Sequence, residues 1–564
     1  MIEKIITLHD ALKEKKKLLI WRQKMQRIST LEIFHNSTFR NLWIATLVAN
    51  LGGLVQTVGA SWMMTLISSS HSMVGFVQSA TTLPLVFFSL MAGALADNFN
   101  RRRIMLFAQI MMMIVSINLV ILSYMELITP WLLLFFTFLI GCGSALYNPS
   151  WQATIGDIVN RESISTAVSL NSVGLNLMRS IGPSIGGAII STLGGIAAFF
   201  VNALSYIPLI GVLFLWKPNY KNNTLPRERF LGSVADGLRY VAMSPNLLNI
   251  MTRAFLFCVG AISVFALLPI VVHDFFGGNA LLYGTLLSCF GLGAITAGII
   301  NSFVRSHFKS EIIVTSAFVG LSFSCFFLAM SRSLFISHFV LFPAGLCWVW
   351  ALSLFNTSVQ LSTPRWVVAR ALALYQTASY GGMAVGSAIW GALADGYSLT
   401  VALNVCAIFL ICGALTGIKF RIQEIPQINL EPLDQFREPD LSLDLEAQSG
   451  PIMIMIDYQI NENDLAEFLE IMTRRRHIRI RDGARQWVLL RDLERPEYWT
   501  ESYHMPTWVD YLRHNRRRTK ADVEVNKHLD KLNRISNGIK VHRMIKWQTV
   551  PKINEMRLKL SNNQ

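Results

Sequence analysis

Two stretches decide how this chain is read: GPSIGGAII at 182–190 and GMAVGSAIW at 382–390. Placed over one another with a shift of two hundred, Gly182 meets Gly382, Gly186 meets Gly386, Ala188 meets Ala388 and Ile189 meets Ile389. Upstream, YNPSWQ (147–152) lies over FNTSVQ (355–360) and AVSLN (167–171) over ALALY (371–375), small loop insertions absorbing the changes in shift. A chain that repeats its small-residue spacing over this distance is built from two related halves.

The halves are apolar. Of 564 residues 52% are hydrophobic and 15% charged, and mean hydropathy is +0.42; a soluble chain carries nearer a quarter charged residues. The many Gly (36), Phe (34), Met (22) and Trp (14) suit helices packed in lipid. Windows of about 20 apolar residues mark twelve spans, near 41–67, 74–96, 104–126, 130–153, 165–192, 195–216, 248–273, 280–303, 311–331, 334–358, 367–391 and 399–418. An even count puts both termini on one side. The basic loops choose the cytoplasm: Arg101, Arg102 and Arg103 after span 2, residues 217–239 after span 6, Arg305 and Lys309 after span 8, Arg365 and Arg370 after span 10.

The expected fold is therefore an all-α polytopic membrane protein, with twelve transmembrane helices in two six-helix pseudo-repeats at 41–216 and 248–420. A cytoplasmic loop at 217–247 joins them. The net charge of +15 is spread over loops and ends, which argues for the lipid bilayer, not nucleic acid, as partner. All seven cysteines lie in apolar runs without metal-type spacing, so no metal or cofactor is expected. Residues 1–40 read as a basic amphipathic arm on the cytoplasmic membrane face, and no signal peptide is expected.

Composition changes after span 12. Residues 421–450 are proline-containing and acidic, a linker, and 551–564 form a tail. Between them, 451–550 read as a small cytoplasmic α+β domain. IMIMIDYQI is a strand, NDLAEFLEIMTRRRH a helix, ARQWVLLRDL and EYWTESYH strands, TKADVEVNKHLDKLN a helix and KVHRMIKW a strand. That is the ferredoxin-like order.

Two six-span halves related as parallel repeats resemble the major facilitator superfamily. GALADNFNRRR (93–103) resembles its signature loop between spans 2 and 3, with Asn100 where the family usually has glycine. Gly93 permits close helix approach. Asp97 can meet an arginine or the N-terminal end of a helix in the other half, so Gly93, Asp97, Arg101 and Arg102 are expected to form the inner gate. A second GALAD at 391–395 has no basic tail and falls on the other side, so it reads as coincidental small-residue packing.

GPSIGG resembles the superfamily's exporter signature, and Gly182, Pro183, Gly186 and Gly187 are expected to shape the bundle interface. Arg179 lies deep in span 5, where an unpaired charge is costly unless it faces water or a partner. It reads either as a contact for an anionic group of the cargo or as a cap on helix carbonyls. The resemblance implies a cavity lined by spans 1, 4, 7 and 10. Its candidate cargo contacts are Gln56, Trp62, Asn148, Gln152, Phe265, Asn356 and Gln360, of which the polar ones can equally serve as interhelical hydrogen bonds. The candidates for proton coupling are Asp97, Asp157, His273 and Asp274, all near span ends.

IVNRESISTAVSLNSVGLNLMRSIGPSIGG, FALLPIVVHDFFGGNALLYGTLLSCFGLGAITAG and PEYWTESYHMPTWVDYLRHNRRRTKADVEV are similar to segments of the secretion-effector branch, which includes enterobactin exporters. The tail resembles dimeric α/β-barrel domains, which implies regulation or self-association, with catalysis as the alternative. The resemblance implies a non-enzymatic, proton-coupled exporter of a small amphiphilic molecule, siderophore-like or a drug, in the bacterial inner membrane. A lysophospholipid or multidrug transporter, or a membrane-anchored enzyme or sensor working through 451–550, are the alternatives.

Overall fold

The computed structural model describes residues 33–98, 100–159, 163–217, 230–364, 366–422, 438–439, 441–443, 445–517, 520–535 and 540–546. The N-terminal arm to residue 32, most of the linker, the final tail, and the side chains of Gly93 and Asp97 lie outside the described residues.

The chain divides into two compact units, residues 1–227 with 251–355 and 373–422, and residues 228–250 with 356–372 and 423–564. The sequence reading drew its boundaries at loops. Here two short stretches of the helical region, 228–250 and 356–372, group with the tail.

Helices follow the apolar windows closely. They are α1 (Ser37–Ile67), α2 (His71–Asn98), α3 (Arg101–Tyr124), α4 (Pro130–Ile158), α5 (Ile164–Leu193) and α6 (Gly195–Leu215). A short α7 (Phe230–Ala242) precedes α8 (Pro245–Ala261) and α9 (Ser263–Ile270), which continue through a π-turn at Val271–Phe275. Then come α10 (Ala280–His307), α11 (Ser310–Met330), α12 (Leu334–Leu361), α13 (Val368–Gly396) and α14 (Leu399–Leu415).

Turn residues set the starts. Asn36, Asn100, Thr129, Asn279 and Ser398 each accept a hydrogen bond from the third residue onward, satisfying one orphan backbone N–H. Among the described residues nine helical segments are long and apolar enough to cross a membrane, including Pro245–Phe275 as one. The other long helices, α2, α5 and α13, lie where the sequence places spans 2, 5 and 11 and carry glycine and serine at their contacts.

The repeat is visible in packing. A methyl group built on Gly182 or Gly186 would press on Leu54 or Val55 of α1. One on Gly382 or Gly386 would press on Phe255 or Val259 of α8. In each half the same two glycines let the fifth span lie against the first.

The tail folds as β1 (Ile452–Gln459), α15 (Leu465–Arg481), β2 (Arg485–Arg491), β3 (Tyr498–Met505), α16 (Trp508–Arg516), α17 (Lys520–Leu532) and β4 (Lys540–Ile545). The strands form one antiparallel sheet in the order β2-β3-β1-β4, the ferredoxin-like arrangement with α16 added. Alternation does the sorting: Ile452, Ile454, Ile456 and Tyr458 point into the core with Phe468, Met472, Tyr503, Trp508 and Leu529.

Candidate functional site

Among the described residues, two glycine-lined seams join the halves of the helical unit. On α5 and α10, a methyl on Gly187 would stand 2.5 Å from the Ala280 carbonyl oxygen and 3.0 Å from Gly284 Cα, and the Ser184 and Ser288 hydroxyls are 2.5 Å apart. On α2 and α13, a methyl on Gly75 would stand 2.6 Å from the Ser387 carbonyl oxygen and 3.1 Å from Gly391 Cα. Here Ser79 Oγ lies 2.7 Å from Ser387 Oγ and donates to the Ala384 carbonyl at 2.9 Å. Both contacts lie toward the end at which α1 finishes and α2 starts (the far end). Glycine at these points removes the side chains that would hold the backbones apart.

The expected interface therefore splits. Gly187 and Pro183, whose carbonyl abuts Gly284, face the other half. Gly182 and Gly186 do not; they turn to α1 in their own half, because the three-and-four spacing puts them one step around the helix.

Arg179 stands one turn before the α5–α10 contact, where its carbonyl and Ser180 back onto Gly291. Its side chain is exposed, and no carboxylate among the described residues pairs with it. Half-buried Tyr380 of α13 lies within electrostatic reach. The result is a guanidinium between the two halves with its donors open, an arrangement suited to a carboxylate or catecholate.

Residues Arg101 and Arg102 are bound within their own half. Arg101 Nη1 donates to Asp157 Oδ2 at 2.7 Å and to the Ala153 carbonyl at 3.1 Å, tying the start of α3 to α4. Arg102 donates to the Leu213 and Phe214 carbonyls at 2.8 and 2.7 Å, capping α6. These contacts tie helices of the same half together; the gate expectation also involves Asp97, whose side chain lies outside the described residues. Asp157, a proton candidate, is an ion-pair partner.

At the far end His273 Nδ1 lies 2.7 Å from Asp274 Oδ1, and Asp274 Oδ2 lies 3.1 Å from His71 Nε2. The first two are expected from the sequence; His71 joins them only in the fold. The second GALAD departs from expectation: Asp395 accepts from Ser70 Oγ, Ser72 Oγ and the His71 backbone N–H at 2.8, 2.9 and 3.1 Å. That is a side-chain latch, not incidental packing.

The polar cargo candidates divide. Gln56 is buried and accepts at 3.4 Å from Asn202, which also donates to Ser116 at 3.1 Å; it serves packing between α1, α3 and α6. Trp62 is buried and stacks on Tyr283 of α10, ring centroids 6.3 Å apart. Asn148 and Gln152 are exposed on α4. In the other unit Gln360 donates to Asn356 Oδ1 at 2.5 Å. Phe265 packs edge-on against Phe290 and Trp348.

Fully buried Arg253 was not singled out in the sequence; it pairs with Glu311 at 2.8 Å, between α8 and α11. The signal was available: a lone arginine in an apolar run requires a partner.

The tail buries a closed charge cluster. Arg475 Nε donates to Glu501 Oε2 at 2.7 Å and Arg479 Nε to Oε1 at 3.2 Å, with Trp487 and Tyr458 adding hydrogen bonds. Burial alone would push the Glu501 carboxyl up, but the two guanidiniums outweigh it and hold it well below the usual carboxylate range. His514 is satisfied by Arg479 and the Asp482 carbonyl. Every lone pair is occupied, which suits structure more than catalysis. Within the same unit Arg517 pairs with Asp236 of α7 at 3.0 Å and stacks over Trp366.

Residues 28–551 match the transmembrane secretion effector family, a match that runs from before α1 through the tail. The chain belongs to that family. It is a major facilitator transporter and a multi-pass membrane protein. It is 22% identical to a staphyloferrin A transporter of Staphylococcus aureus over 68% of this chain and 95% of that one. To the multidrug efflux pump Tap of Mycobacterium tuberculosis it is also 22% identical, over 70% and 96%. A bacterial homologue of the human lysosomal transporter Spinster, solved facing inward and unoccupied, superposes with TM-score 0.55 at 14% identity over 68% of this chain and 96% of that one. The nucleoside transporter NupG superposes with TM-score 0.56 at 13%, over 68% and 100%. These two share the fold.

Proposed function

We propose that this transporter exports a small amphiphilic anion, siderophore-like, from the cytoplasm across the bacterial inner membrane, driven by protons. The observation that carries it is Arg179: an exposed guanidinium between the two halves, deep in α5, without a carboxylate partner among the described residues. A protein keeps such a charge in lipid when something anionic comes to it. The staphyloferrin A transporter among its relatives supports a siderophore-like cargo.

The basic loops support cytoplasmic termini, and on that reading the far end is the outer one. Both seams are then closed outside, and the Arg179 site is served from the cytoplasm. The halves would rock about it, parting at the seams to release cargo. His71, His273 and Asp274 form the titratable cluster on the outer side, the best placed for proton coupling.

The test compares spent medium and cell extract by mass spectrometry in wild type and deletion strains, iron-starved and iron-replete. An anionic compound retained by the mutant under iron starvation is expected. Unchanged profiles would reject a native metabolite and favour drug efflux, as the Tap relative suggests. With the compound in hand, Arg179→Gln should raise its apparent KM about tenfold, with Arg179→Lys between.

A further inference from the structure

The two copies of GALAD end two helices that run in opposite senses. α2 starts at the far end and finishes in GALAD at 93–97; α13 starts at the opposite end and finishes in GALAD at 391–395. The Gly75–Gly391 contact holds α13's last turns against α2's first. One aspartate of the pair therefore belongs to the last turn of α2 and the other lies against its first.

At the far end the contact is on display. The first turn of a helix leaves backbone N–H groups without intrahelical acceptors and carries the positive end of the helix dipole. Asp395 fills this position for α2 from the other half of the protein, accepting from one backbone N–H and two hydroxyls. The His71 ring reinforces it, with Nδ1 3.2 Å from the Ala394 carbonyl oxygen and Nε2 3.1 Å from Asp274. Three segments, the start of α2, the turn after α9 and the end of α13, are thus fastened by one cluster.

We infer that Asp395 is a positioning residue of the transport cycle: its carboxylate on the start of α2 latches the far end shut, and the latch breaks each time the cargo leaves. This rests on the alternating-access reading above. It adds a residue, an atom and a partner to it. At the α5–α10 seam the matching place in the first half, residue 195, is glycine, which offers no carboxylate.

The test uses the full chain with its seven cysteines replaced, carrying Ser79→Cys and Ser387→Cys, whose hydroxyls are 2.7 Å apart in the native seam. Disulfide formation in membranes under mild oxidant reports how long the far end stays closed. Asp395→Asn should slow it about tenfold, the scale of a charge-assisted helix-end contact. Asp395→Glu should recover much of the rate.

Ser70→Ala with Ser72→Ala leaves Asp395 in place and should slow it about threefold; this pair decides the matter if Asp395→Asn fails to insert. An unchanged rate in Asp395→Asn, or in the serine pair where Asp395→Asn does not insert, overturns the latch. Export is followed in parallel. If the oxidised, cross-linked protein still exports, the alternating-access reading fails, whatever the cross-linking rates show about the latch.

Discussion

The α5–α10 seam and the α2–α13 seam use the same parts, Gly187 on Gly284 with Ser184 on Ser288, and Gly391 on Gly75 with Ser387 on Ser79. Gly75 and Ser79 map onto Gly284 and Ser288 with a constant shift of 209. The second seam is offset by one helical turn along α13, and it alone carries the carboxylate contact of Asp395. The difference teaches how a duplicated scaffold acquires direction. Shape complementarity between small residues lets both seams close, while one charge placed on one of them sets how firmly.

The strongest way to break the comparison is to fill both seams. Gly284→Leu and Gly75→Leu force backbone against backbone, and each should cut export roughly a hundredfold while the chain still inserts. Gly211→Leu, which meets open space, should change little. If either seam tolerates leucine, the two are not equivalent and the repeat-based account of closure is wrong.

The tail supplies the contrast between a contact that must open and one that must not. Glu501→Gln leaves two buried guanidiniums uncompensated and should destabilise the tail by about 3–5 kcal/mol in denaturant melts, with seam cross-linking intact. The pH sign follows from the depressed Glu501 carboxyl. Its stabilisation is full above the ordinary carboxylate range and is lost only as pH falls through its own lower value. The tail should therefore keep its fold at pH 4; unfolding near pH 5 would contradict this.

The smallest effect sharpens the comparison most. Ser79→Ala removes a hydroxyl that reaches both Ser387 and the Ala384 carbonyl, and Ser184→Ala one that reaches Ser288, each contact worth up to about 1 kcal/mol in lipid. Ser79→Ala should weaken its seam slightly more; a larger loss in Ser184→Ala would contradict this.

Much of this was legible from residues alone. The shift of two hundred found the halves, and the apolar windows found the helices to within a few residues. Alternation in IMIMIDYQI found the sheet's first strand. What was not legible depends on which way a helix faces and on partners far away in sequence. Gly182 and Gly187 are one motif on the page, yet they face different helices because five residues turn a helix well past one revolution.

Arg101 and Arg102 sit in a signature loop, and the loop alone does not show that they also reach Asp157 and the end of α6. Asp395 was dismissed on the sound ground that it lies on the opposite side from Asp97. That opposition is what an antiparallel pair requires.

The central claim is that the seams part during every transport cycle. The most direct measurement is export of the identified compound by a chain with its native cysteines replaced and Ser184→Cys and Ser288→Cys introduced, before oxidation, after oxidation and after reduction. The account predicts export that stops when the α5–α10 seam is cross-linked and returns when the bond is reduced. Undiminished export by the cross-linked protein would contradict it.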